Sequence, residues 1–142
     1  MHELELVTDP APEDIRRLEQ GVMAATEQRL GDLGRVGLGV FARDANGEII
    51  GGVTGRTVIG WLLIHVAWVH PDHQGTGLGS RLMRAAEDEA RRRGCIGSQV
   101  DTLSVQAPDF YLKLGYEVIG TVPDCPPGGA RYFFAKRFDR DA

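Results

Sequence analysis

The most constraining feature is a nine-residue apolar run, Trp61–Val69, that leads through a glycine-punctuated turn into an amphipathic helix beginning at Leu78. Near-continuous apolarity, broken only by His65, predicts a strand buried on both faces at the centre of a sheet. The turn reads Val69-His70-Pro71-Asp72-His73-Gln74-Gly75-Thr76-Gly77-Leu78-Gly79-Ser80. Gly75, Gly77 and Gly79 have no side chains to fend off a ligand. The first amides of a helix lack intrahelical partners and lie at the positive end of its dipole. A strand feeding such a turn predicts an anion site, and a pyrophosphate is its natural guest.

The remaining chain alternates between element types. Glu3–Val7 alternates and is predicted to be a first strand. Ile15, Leu18, Val22 and Ala25 recur at helical steps from Glu13 to about Leu30, where Gly31 and Gly34 stop the pattern. Val36–Arg43 and Glu48–Ile59 are predicted strands joined through Asn46-Gly47, a hairpin signal because both residues accept positive φ. Gly51, Gly52 and Gly55 predict bulges or crowding in the second. In the helix Leu78–Arg93, the predicted buried stripe is Leu78, Leu82, Ala85, Ala86 and Ala90. Glu87–Arg91, Asp88–Arg92 and Glu89–Arg93 are spaced as i,i+4 pairs, and the Arg91–Arg93 triplet reads as a solvated helix end closed by Gly94. Strand Gly97–Val105, a short helix Ala107–Leu114, and strands Tyr116–Val122 and Arg131–Phe138 complete the order, with a Pro/Gly loop at Pro123–Gly129. This predicts an α/β fold with a mixed central β-sheet and helices, in a single domain over residues 1–142.

Composition narrows the function class. With 142 residues and 42% hydrophobic residues, the chain can bury a core without disulfides. A net charge of −4 argues against nucleic acid as a partner. Cys95 and Cys125 stand apart from each other and from any Cys/His cluster, so neither a zinc site nor another metal is expected. No charged segment precedes an apolar run at the N-terminus, and no run is long enough for a membrane span. The expectation is a cytoplasmic protein with no membrane partner.

Three pyrophosphate motifs compete for the glycine turn. The P-loop requires Lys then Ser or Thr after its last glycine, whereas Gly79 is followed by Ser80-Arg81. The dinucleotide fingerprint read from Gly75 ends on Ser80 rather than glycine, although Asp101 follows as a ribose-binding acid would. The third matches. Gln74-Gly75-Thr76-Gly77-Leu78-Gly79 resembles the Q/R-x-x-G-x-G/A coenzyme A loop of the GNAT (general N-acetyltransferase) superfamily. Val69-His70-Pro71 resembles the strand end before that loop, and Ala107–Glu117 resembles the family's A-x-x-F-Y-x-K-x-G-F/Y segment. The resemblance spans roughly Glu48–Phe138.

The resemblance implies a GNAT-like fold in which Trp61–Val69 splays from Gly97–Val105 and acetyl-CoA, the cosubstrate, enters the gap. Its pantetheine would pair with backbone groups near Ala67, Trp68 and Val69. Its pyrophosphate would lie on Gln74, Gly75, Thr76, Gly77, Leu78, Gly79 and Ser80. Tyr111 would touch the coenzyme and protonate the leaving thiolate. The implied activity is acetyl transfer to a primary amine of a small molecule or peptide; a non-catalytic CoA-binding module on the same fold is the alternative. Some branches of the family use a strand glutamate as base, and Trp61–Val69 has none. His65, Asp101 and a water chain remain candidates. The acceptor pocket is expected from the first helix, the Gly34–Gly39 approach and the Pro123–Gly129 loop. A homodimer is compatible with the resemblance.

Overall fold

The computed structural model describes residues 2–140, which fall into two compact units, one ending at Leu33 and the other starting at Gly34. In the first unit, α1 runs Pro12–Leu30 and has no buried residue. Local signals define it: Pro12 starts it, Glu13 and Asp14 occupy its first turn, Arg29 occupies its last, and Gly31 ends it at φ 78°. The strand expected at Glu3–Val7 does not form; that segment is irregular and exposed. Alternation permits a strand but does not supply one, because its backbone groups need a partner edge.

The second unit is a six-stranded sheet with order β1-β2-β3-β4-β6-β5. The strands are β1 (Val36–Arg43), β2 (Ile49–Val58), β3 (Trp61–Val69), β4 (Gly97–Leu103), β5 (Glu117–Pro123) and β6 (Ala130–Arg137). Neighbouring strands are antiparallel except β3 and β4, which run parallel because helix α2 (Leu78–Arg92) carries the chain between them. A short helix, α3 (Pro108–Lys113), precedes β5. In the first hairpin only Gly47 takes positive φ. The Asp44 carboxylate accepts from the amides of Asn46 and Glu48 and makes a longer loop than the two-residue turn expected.

Helix α2 packs across β1–β4 and buries Leu82, Met83, Ala86, Glu87 and Ala90. Ala85 is exposed, contrary to the expected stripe, and Met83 and Glu87 take its place facing the sheet. A helix packed over a broad sheet buries a wider arc than a narrow stripe. The arginine triplet is also not uniformly solvated. Arg93 donates to the Gly37 carbonyl at 3.0 Å and to Thr57 Oγ1 at 3.1 Å, and Arg91 lies 4.4 Å over the Phe138 ring. Glu87 does not pair with Arg91 as its spacing predicted; it accepts from Lys136. Of the predicted i,i+4 pairs, Glu89–Arg93 forms at 2.9 Å, and Asp88 instead meets Arg91 one residue earlier.

Candidate active site

The site begins where β3 and β4 part. Their pairing covers only Trp61–Leu63 against Gly97–Gln99. Beyond Leu63, β3 continues to Val69 on β2 alone, so its other edge offers unpaired backbone groups. The expectation of burial on both faces therefore fails for the second half of β3. Leu62 and Ile64 are buried, but His65, Val66 and Trp68 are exposed.

At this parting β3 also carries a bulge. Gly55 faces Ile64 while Thr54 faces Val66, which leaves His65 without a partner. One extra residue shifts the side-chain alternation. Leu62 and Ile64 belong to the core under α2, and past the bulge that side is taken by Ala67 and Val69.

A cavity of about 710 Å³ opens here. Its floor is Ala67, Trp68 and Val69 of β3 with Gly52 and Val53 of β2; its far wall is Gln106, Ala107, Phe110 and Tyr111; its upper rim is the loop into α2. The rim is built to keep side chains out. Gly75 and Gly77 have φ of 75° and 83°, in the left-handed region that glycine adopts without strain. A Cβ at Gly79 would lie 3.2 Å from the Phe110 ring, so glycine lets α2 approach the far wall. Gln74 turns its amide onto the Val69 carbonyl at 3.1 Å, and the Thr76 hydroxyl donates to His73 at 2.7 Å, so both side chains brace the loop. No side chain caps the start of α2, and no acidic residue occupies its first turn. The first amides of a helix that starts in this way lack intrahelical partners, a geometry that suits an anion.

Tyr111 lines the far wall and is 7% exposed. Its ring is held by Phe110, Tyr116 and Phe134 at centroid distances of 5.1, 5.9 and 5.7 Å. Burial, with a smaller contribution from the negative charge of Asp101, pushes its phenol above the ordinary value. It stays protonated and able to donate at neutral pH.

The structure gathers Ala67, Trp68, Val69, Gln74, Gly75, Gly77, Gly79, Ser80 and Tyr111 around the cavity. Thr76 and Leu78 belong to the same loop but do not line it: Thr76 is exposed, and Leu78 packs against the core. His65 and Asp101 do not line it either. The Asp101 carboxylate binds the Arg131 guanidinium through Nε at 2.8 Å and Nη2 at 2.6 Å. Neither Gly34–Gly39 nor Pro123–Gly129 contributes to the lining. Sequence reasoning missed Gln106, whose side-chain Oε1 accepts from the Leu103 amide at 2.8 Å and from Thr102 Oγ1 at 3.1 Å. It also missed His73, Gly52, Val53, Leu82, Met83, Ala107 and Phe110 as lining residues. For Phe110 and Ala107 the signal was present, since both belong to the motif that carries Tyr111. Among the described residues no group of three or more His, Cys, Asp or Glu could hold a metal, and no helix is long and apolar enough to cross a membrane.

A strand splayed from its parallel neighbour, with an uncapped helix start and a buried tyrosine both lining the gap, matches one family. The profile of the acetyltransferase (GNAT) family covers residues 2–116. The chain belongs to this family and is an acyl-CoA-dependent N-acetyltransferase. It is 43% identical over 97 residues to the blasticidin-S acetyltransferase of Streptomyces morookaense, covering 68% of this chain and 71% of that one. A crystal structure assigned as an acetyltransferase, from Agrobacterium tumefaciens, superposes with a TM-score of 0.89 at 28% identity, covering 96% of this chain and all of that one (100%). An aminoglycoside 6'-N-acetyltransferase complexed with coenzyme A shares the fold, with a TM-score of 0.60 at 20% identity and 87% coverage of each chain.

Proposed function

We propose that the protein transfers the acetyl group of acetyl-CoA to a primary amine of a small molecule. The observation that carries this reading is one continuous cavity joining the uncapped start of α2, the unpaired edge of β3 and the buried phenol of Tyr111. The residues fit the cosubstrate. Amides from Gly75 to Ser80 suit a pyrophosphate, and the open β3 edge suits the two amides of a pantetheine arm, which can pair like an added strand.

The chemistry is direct attack within a positioned pair. The amine nitrogen bonds to the thioester carbonyl carbon, the C–S bond breaks, and the amine proton is lost. Tyr111 donates to the departing sulfur. Its raised phenol keeps that donor loaded but makes full proton transfer to a thiolate less favourable. A contribution near the low end of general acid catalysis, about 10²-fold, follows. For the base, the reading favours His65, the exposed residue at the bulge just past the parting of the strands, over Asp101, whose carboxylate is taken by Arg131. His65 does not line the cavity, so in this role it would take the amine proton through a water.

The identity to a blasticidin-S acetyltransferase makes blasticidin S the first acceptor to test. Thiol release from acetyl-CoA should accelerate with blasticidin S or with a member of a panel of small primary amines, and Tyr111→Phe should lower turnover about 10²-fold while changing coenzyme affinity less than about threefold. Acetyl-CoA binding without thiol release on any amine would overturn the reading. A Tyr111→Phe variant at the parental rate would remove the tyrosine from it. If His65 is the base, His65→Ala should lower turnover about 10²-fold; a parental rate would leave water alone in that role.

A further inference from the structure

Tyr111 leans on a buried polar cluster that the chemistry above does not use. Tyr116 is 2% exposed, and its hydroxyl donates to Glu87 Oε2 at 2.9 Å and accepts from Ser98 Oγ at 2.9 Å. Lys136 Nζ donates to the other Glu87 oxygen, Oε1, at 2.8 Å and sits 5.8 Å over the Tyr116 ring. Glu87 belongs to α2, Ser98 to β4, Lys136 to β6, and Tyr116 lies between α3 and β5. None of the four lines the cavity.

Stability alone is a poor reason for such a cluster. A buried ion pair is commonly replaced by packed apolar side chains at no loss. What directional hydrogen bonds add is a defined position, because apolar contacts alone let a ring slide. Here the ring so defined is the one against which Tyr111 packs edge-on, 5.9 Å between centroids. The Tyr116 amide also donates to the Tyr111 carbonyl at 3.0 Å. Through Glu87, both are referenced to α2, the helix whose first turn forms the anion site.

We propose that the Glu87–Lys136–Tyr116–Ser98 cluster is a positioning device that fixes the Tyr111 hydroxyl relative to the start of α2. Tyr116 is its key positioning residue. It acts through Tyr111 and touches neither substrate. The proposal rests on the reading of Tyr111 as the acid.

The test is a double-mutant cycle on Tyr111→Phe and Tyr116→Phe, read with acetyl-CoA and blasticidin S and, separately, as slow hydrolysis of acetyl-CoA. Tyr116→Phe keeps the ring and removes the hydroxyl. A displacement of a fraction of an ångström should lower kcat roughly 10-fold and leave the acetyl-CoA KM within about twofold. In the Tyr111→Phe background the same substitution should have no further effect on kcat. Multiplying effects would overturn the proposal and mark Tyr116 as general packing. If Tyr111→Phe alone turns over at the parental rate, the acid reading fails at that first leg, distinct from a failure of the coupling. A second readout needs no acceptor. In protein labelled on tyrosine ring carbons and saturated with coenzyme A, the Tyr111 resonance should broaden by exchange in Tyr116→Phe and in the milder Ser98→Ala. A Tyr111 line as narrow as the parent's in both variants would overturn the proposal.

Discussion

The two ends of α2 follow opposite rules. At its start, Gly77 takes left-handed φ, no side chain caps the helix, and the first turn holds no acid. At its end the backbone groups are satisfied: the Gly94 amide donates to Arg91, the Cys95 amide donates to Ala90, and Gly94 takes φ 84° between them. Arg93 then clamps this end to β1 and β2 and holds Glu89 below the usual carboxylate range. The closed end is tied down by these contacts, and the open end is the one that the proposed function assigns to the coenzyme. α1 and α3 do not share this asymmetry, since both carry acidic residues in the first turn. Of the three α-helices among the described residues, none has a side-chain cap, and α2 alone also lacks an acidic first turn, the feature on which the proposed coenzyme site rests.

The largest expected break of this contrast is Gly77→Glu. A Cβ there meets nothing within 4 Å, so the variant should fold at the cost of left-handed strain while placing a carboxylate against the anion site. Coenzyme A affinity should fall at least about 10²-fold, roughly 3 kcal/mol, by calorimetry. Unchanged affinity would detach the helix start from binding. Arg93→Ala should act the other way. Losing its bonds to Gly37 and Thr57 should cost about 1–3 kcal/mol in denaturant unfolding, with coenzyme affinity within twofold. A parallel loss of affinity would show that the two ends are not independent. Gly94→Ala should cost about 1 kcal/mol, the strain of a side chain in left-handed backbone, and also spare binding.

The smallest effect at ordinary pH lies midway along α2. Burial, then the Glu87 charge, pushes the Tyr116 phenol far above its ordinary value, and burial also raises Tyr111. A folded-state value above the unfolded one means that this stabilisation is complete below about pH 10 and is lost as pH rises toward the folded value. The melting temperature should therefore fall above about pH 10. Tyr116→Phe should make that fall shallower, and an unchanged slope would place the alkaline transition elsewhere.

Where local chemistry decides, the amino-acid sequence was readable. β3 spans Trp61–Val69 as its apolar run predicts, α2 starts at Leu78 after its glycines, and the motif around Tyr111 places a tyrosine on the cavity wall. Where a partner decides, it was not. Glu87 reads as one of three equivalent carboxylates on a charged helix face. Only the approach of Lys136 and Tyr116 from β6 and the α3–β5 junction separates it from Asp88 and Glu89. Glu3–Val7 reads as a strand because alternation says nothing about an available edge.

From α1 onward the order of elements and the glycine loop were thus set by the chain itself, because turn geometry, helix starts and apolar periodicity depend on residues near one another in sequence, whereas the tyrosine was implied by the family resemblance. The parting of β3 from β4 was implied by the family resemblance, and a bulge or crowding by Gly55; tertiary structure decided that the parting comes after three residue pairs, that the bulge leaves His65 unpaired, and that Asp101 is committed to Arg131. Each is a contact between strands or side chains far apart along the chain. Its energy depends on distance and burial, which a linear pattern does not contain.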